Sequence, residues 1–143
     1  MKKLIVALCL VLFSTVAFAE DNILFDKNQT ADVYIVKHSL VQETNNIRTI
    51  WIEYKYTKTG SKILKQDIKT NDYPASSKVK YAFDCSNRLH KVLIAMIYNK
   101  KGINILKLSD GEVEEVTPGS VGEAIRDLTC SVDMQQPVKE FTY

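Results

Sequence analysis

Histidine, cysteine and glycine are scarce in these 143 residues, and each shortage removes a class of chemistry. Only His38 and His90 could act as bases near neutral pH. Ser39 follows His38 directly, but neighbours on a strand point to opposite faces, so the two do not form a nucleophile–base pair. Cys9, Cys85 and Cys130 stand far apart from one another, and so do His38 and His90. Zinc-ligand spacing is therefore absent. The five glycines build no phosphate loop, and neither G-x-S-x-G nor H-E-x-x-H occurs. Glu112, Glu114 and Glu115 lack calcium-loop spacing and read as a solvated strand edge that discourages edge pairing. The residues provide no hydrolase constellation, and neither a metal nor a cofactor is expected.

Long apolar runs are missing except at the start. Lys2 and Lys3 precede Leu4 to Phe13, and Ala17-Phe18-Ala19 supplies a small-residue cleavage site before Glu20-Asp21. This pattern predicts a signal peptide over residues 1–19, too short to span a bilayer, and an exported mature chain without a membrane span. Cys9 lies inside the apolar run behind the bulky Leu8, which argues against lipidation. The destination is the periplasm, the cell surface or the medium.

An excess of either charge is missing too. Removing Lys2 and Lys3 leaves 17 basic residues against 17 acidic ones. Such a balance does not suit a nucleic-acid binder. The same cut leaves two cysteines, Cys85 and Cys130, and an even pair in an exported chain reads as a disulfide. Closing a loop of about 46 residues would stabilise the fold by ~4 kcal/mol on the chain-entropy estimate.

What is present is alternation. Residues 20–30 are polar and expected to be a flexible N-terminal segment, with the domain proper over residues 31–136 and a tail over 137–143. Val33 to Val36 suits a strand. From Arg48 to Thr57, Ile50, Ile52, Tyr54 and Tyr56 face one way, and Thr49, Trp51, Glu53 and Lys55 the other. Residues 58–78 read as the longest irregular segment, with at most one helical turn at Ile63, Leu64 and Ile68. Seven lysines between Lys55 and Lys80 face only Asp67 and Asp72, a local excess of five positive charges. A sulfated glycan or an acidic protein surface would be drawn to it. A solvated loop is the plainer reading.

Lys78 to Cys85 alternates again, and Ser86-Asn87-Arg88 turns the chain. A loop of two or four residues sets Phe83 opposite Val92, Tyr81 opposite Ile94 and Asp84 opposite Lys91. Leu89 to Tyr98 is apolar on both faces and should be an inner strand. Asn99-Lys100-Lys101-Gly102 is a type I turn with glycine at the left-handed position. After Pro118-Gly119, Ser120 and Glu123 form a capping box in which the glutamate reaches back to the serine N–H. Val121, Ala124, Ile125 and Leu128 then make a stripe for a helix facing the sheet. Cys130 falls about 180° from Val121, so the helix loosens before it or the disulfide clasps the helix flank. Together these elements predict an α+β fold: an antiparallel sheet of five or six strands with a C-terminal helix on one face, tied by a disulfide.

Tyr81-Ala82-Phe83-Asp84-Cys85, the apolar strand ending at Tyr98, the Lys101-Gly102 turn, and Thr117-Pro118-Gly119-Ser120-Val121-Gly122-Glu123-Ala124 running on to Cys130 resemble the surface-adhesin protein E family. The likeness covers roughly residues 31–130. It implies a sheet and helix joined by Cys85–Cys130, and an exported, non-enzymatic module that binds host extracellular-matrix or serum proteins and forms a homodimer. Trp51, Lys58, Lys62, Lys65 and Lys69 are the candidate contact residues, and an indole covered by a neighbouring loop is the plainer reading of Trp51. The competing reading is a soluble periplasmic protein that binds or inhibits another envelope component.

Overall fold

The computed structural model describes residues 22–133. The leader expected over residues 1–19 and the tail expected over 137–143 lie outside them. Eight strands and two helices follow one another in the described chain. They are β1 (Ile23–Lys27), β2 (Ala31–Ile35), β3 (Val41–Gln42), β4 (Ile47–Tyr56), α1 (Lys58–Asp67), β5 (Pro74–Asp84), β6 (Leu89–Asn99), β7 (Asn104–Ser109), β8 (Val113–Glu115) and α2 (Val121–Ser131).

All pairings are antiparallel, in the order β1-β2-β4-β5-β6-β7, with β3 on β4 and β8 on β6. Because β5 occupies the other edge of β4 along its length, β3 must continue the line of β2. By the same reasoning β8 continues the line of β7 along β6. The sheet is thus six strands wide with two of its strands broken. β6 lies inside it, as its two apolar faces require.

The period-two pattern of β4 positions the core. Ile50 and Ile52 are buried with Val33, Phe83, Val116 and Ile125 in one cluster. α2 contributes Ile125 to that cluster and covers this face of the sheet, with Val121 and Cys130 packed alongside. Trp51, Glu53 and Lys55 project from the opposite face.

Several expectations need correction. Within the segment expected to be flexible, Ile23–Lys27 forms a strand paired with β2, with Phe25 and Ile35 packed against the core and Leu24 exposed. The lysine-rich segment is a ten-residue helix, α1, rather than an irregular loop. Thr57 caps it by accepting the Gly60 N–H at 3.1 Å. Gly60 makes this docking possible, since a Cβ there would lie 1.9 Å from the carbonyl oxygen of Thr30.

The hairpin register also differs. Phe83 faces His90, Tyr81 faces Val92 and Asp84 faces Leu89, and a bulge at Lys80/Tyr81 then sets Lys80 opposite Ile94. The turn takes in Cys85 because the Asp84 carboxylate folds onto it, accepting the Ser86 N–H at 2.9 Å and the Asn87 N–H at 3.2 Å. Lys91 instead meets Asp110, at 2.5 Å.

On α2 the buried positions are Ile125 and Thr129, whereas Ala124 is exposed. The stripe therefore runs Val121, Ile125, Thr129, at i, i+4 and i+8. Shifted this way, it leaves Cys130 on the helix flank, where the disulfide clasps it without ending the helix. Ser120 accepts the Glu123 N–H at 3.1 Å. Glu123 reaches back to the Gly119 N–H at 2.7 Å rather than to Ser120, whose own N–H already donates to the Thr117 carbonyl at 3.3 Å.

Candidate functional site

Cys85 and Cys130 are bonded, Sγ to Sγ at 2.04 Å, joining the end of β5 to the last turn of α2. Arg126 donates to the Cys85 carbonyl at 3.0 Å, and Arg88 pairs with Glu123. With the helix held by these contacts, one face of the sheet is fixed and the side chains of the other face have a rigid backing.

That other face carries Trp51. It is half-buried and lines a hollow of about 230 Å³ with Val36, Lys78 and Met96. The hollow lies beside the break between β2 and β3. There the Trp51 N–H donates to Ser39 Oγ at 3.0 Å, and Ser39 Oγ donates to the Val36 carbonyl at 2.6 Å. A serine hydroxyl thus replaces the missing strand neighbour and satisfies the backbone under the indole. His38, at φ 58°, makes the left-handed turn that brings Ser39 there, so its place is conformational. Tyr34 adds a ring on the same face, with Lys55 Nζ 4.6 Å from its centroid.

Lys58, Lys62 and Lys65 recur at i, i+4 and i+7 along α1, and so share one face of the helix. Lys69 follows the C-cap residue Ile68 in a left-handed conformation, φ 52°. Lys65 Nζ lies 3.8 Å from the ring centroid of Tyr73, which is 57% exposed. The structure thus separates the candidate residues into two places: Trp51 on the sheet face and the lysines on the helix.

A second concavity, of about 420 Å³, lies on the α2 side. Tyr54, Tyr56, Tyr81, Val33 and Val121 line it. The Tyr54 and Tyr81 hydroxyls are 3.0 Å apart, and the Tyr56 hydroxyl is 2.6 Å from Ser77 Oγ. Burial raises the pKa of all three phenols, and for Tyr54 the neighbouring Tyr81 adds to the rise. They are neutral hydrogen-bonding groups rather than bases. Alternation in the sequence places these tyrosines on one face, but only the position of α2 leaves a gap over them.

His90 is half-buried against the rings of Tyr81 and Phe83, with centroids 6.2 and 6.1 Å away. Its Nε2 lies 3.9 Å from Glu114. Among the described residues no group of three or more His, Cys, Asp or Glu could hold a metal ion, and no helix is long and apolar enough to cross a membrane.

The solved structures include relatives of this fold. A crystal form II structure of Haemophilus influenzae protein E superposes with a TM-score of 0.53 at 15% identity, over 76% of this chain and 86% of that one. Two further protein E structures, one from Haemophilus influenzae and one from non-typeable Haemophilus influenzae, give a TM-score of 0.48 each. They do so at 11% and 15% identity, over 76% of this chain and 92% and 74% of theirs. No curated protein sequence matches. The sequence model of the surface-adhesin protein E family matches residues 23–131, which spans the sheet, both helices and both bonded cysteines. The chain belongs to the surface-adhesin protein E family.

Proposed function

We propose that this protein is an exported, non-enzymatic binding module that displays the Trp51 face of its sheet to host extracellular-matrix or serum proteins. Membership of a surface-adhesin family supports the general role. The observation that carries the assignment of the face is the Trp51 hollow. A half-buried indole beside Val36 and Met96 offers flat apolar area, and Lys78 stands at its margin. Tryptophan is among the residues that most often dominate protein interfaces when a partner completes its burial. The backbone beneath it is fully paired through Ser39, so little ordering cost remains on docking.

The test is binding of the purified mature chain to immobilised matrix and serum proteins, with Trp51→Ala alongside. Loss of about tenfold or more in affinity, with an unchanged melting temperature, supports the assignment. Equal binding by wild type and variant overturns it. Protease treatment of intact cells, following a C-terminal tag, decides the side of the membrane. Cleavage without lysis places the domain outside, whereas protection until the outer membrane is opened favours a periplasmic partner. The homodimer implied by the family is decided by sedimentation of the same sample.

A further inference from the structure

We propose that the lysine row of α1 is a second binding surface, for a linear sulfated polysaccharide. It is separate from the Trp51 face and does not depend on what docks there.

The row works against the stability of its own helix. Lys58 occupies the first helical position, where the macrodipole favours an anion, and the first turn of α1 contains no acidic residue. Lys58 and Lys62 are like charges at i, i+4, and Lys62 and Lys65 at i, i+3, both repulsive spacings. Asp67 lies about 180° round the helix from Lys58 and cannot relieve them. Among the described residues Lys58, Lys62 and Lys69 make no ion pair and are exposed. An external anion would remove this repulsion.

The shape of the row selects the class of anion. From Lys58 to Lys65 the charges extend over about 10 Å at helical rise, with steps of about 5–6 Å, Lys69 follows beyond the C-cap, and none of the four lines either hollow described above. A single phosphate or carboxylate cannot span this row, but a chain bearing an anion every few ångströms can. Lysine is a flexible point charge, suited to sulfate groups spaced along a chain rather than to one planar bidentate partner. A protein partner fits less well, because lysine is depleted in interface cores. A lipid surface fits less well too, since Ile63, 47% exposed, is the only large apolar side chain that α1 exposes, too little to insert.

The test uses heparin as probe on the full mature chain. Lys58→Gln, Lys62→Gln and Lys69→Gln are combined in one variant, keeping Lys65 for its contact with Tyr73. Lys100→Gln, Lys101→Gln and Lys107→Gln, all exposed, are combined in another that loses the same charge. The α1 variant should bind heparin about tenfold or more weakly at physiological ionic strength, and its salt dependence should flatten. The hairpin variant should stay within about twofold of wild type. Hyaluronan, which has carboxylates but no sulfates, and anionic lipid vesicles should bind weakly to all three proteins. Equal losses in the two variants would show only general charge attraction and overturn the proposal. So would absence of heparin binding by wild type, or vesicle or hyaluronan binding that matches heparin. Unchanged circular dichroism of the α1 variant separates lost contact from lost helix. Because Trp51 is intact in both variants, failure here and failure of the protein-binding reading are distinguishable.

Discussion

The guanidinium of Arg48, on β4, donates to the carbonyl of Thr129 at 2.9 Å and to that of Val132 at 2.6 Å. These are carbonyls of the last turn of α2 and its C-cap, which no intrahelical N–H can satisfy. No basic residue lies in that last turn, so a strand residue more than eighty positions away supplies the positive charge favoured at a helix C-terminus. Arg48→Ala should lower stability by about 1.5–3 kcal/mol, the range for hydrogen bonds to a charged group. Arg48→Lys should recover only part of that. Urea unfolding with the disulfide intact measures both, and an unchanged midpoint for Arg48→Ala would refute the role.

Breaking the disulfide removes a different restraint. Cys85→Ser combined with Cys130→Ser should cost ~4 kcal/mol on the chain-entropy estimate for the loop between them. Melting of the oxidised wild type against the double variant checks it. A difference within about one degree would mean that the bond adds nothing beyond Arg48, Arg126 and Glu123.

Gly60→Ala tests the docking of α1. Alanine is the better helix former by about 1 kcal/mol, so propensity alone predicts stabilisation. The Thr30 carbonyl oxygen, 1.9 Å from the Cβ position, predicts the reverse. Overpacking of about 1–3 kcal/mol should outweigh the propensity gain and lower the denaturation midpoint. A raised midpoint would show that α1 is free to move off the β1–β2 turn.

The phenols predict an alkaline limit. Burial raises the folded-state pKa of Tyr54 and Tyr81 above the ordinary value of 10.0. A raised folded pKa contributes stability that is present below about pH 10 and lost as pH rises beyond it. Phenolate absorbance should therefore show two populations, with Tyr54 and Tyr81 ionising only as the fold opens. Titration of every tyrosine near pH 10 in the folded protein would contradict this.

The acid side rests on Asp84 and Glu123. Hydrogen bonds from the Ser86 side chain, and then from Asn87, hold the Asp84 carboxyl at about 2. The Gly119 N–H, followed by Arg88, lowers that of Glu123. Depressed folded-state values contribute stability above the ordinary carboxylate range, lost as pH falls toward 2. Asp84→Asn should flatten the fall of melting temperature between about pH 4 and pH 2. A slope equal to that of wild type would exclude the turn carboxylate as its source.

The sequence by itself determined the alternating strands, the Asn99–Gly102 turn, the capping serine and the sheet-plus-helix class. Each rests on interactions within a few residues or on a period that burial imposes directly. It also marked Cys85 and Cys130 as a pair, because export and an even count leave few alternatives. Tertiary structure decided the rest. Whether the lysine-rich segment became loop or helix depended on Thr57 and on Gly60 fitting against Thr30, a contact from the turn that leads into β2, the neighbouring strand of β4. The hairpin register depended on the Asp84 carboxylate preferring its own turn to a cross-strand lysine. Thr129 rather than Ala124 became a buried helix position because Arg48 and the disulfide fix the roll of α2 on the sheet. The Thr57 cap and the Asp84 turn are local, but the contacts of Gly60 with Thr30, Arg48 with Thr129 and Cys85 with Cys130 join residues distant in the chain, and their energies depend on geometry that no local pattern encodes.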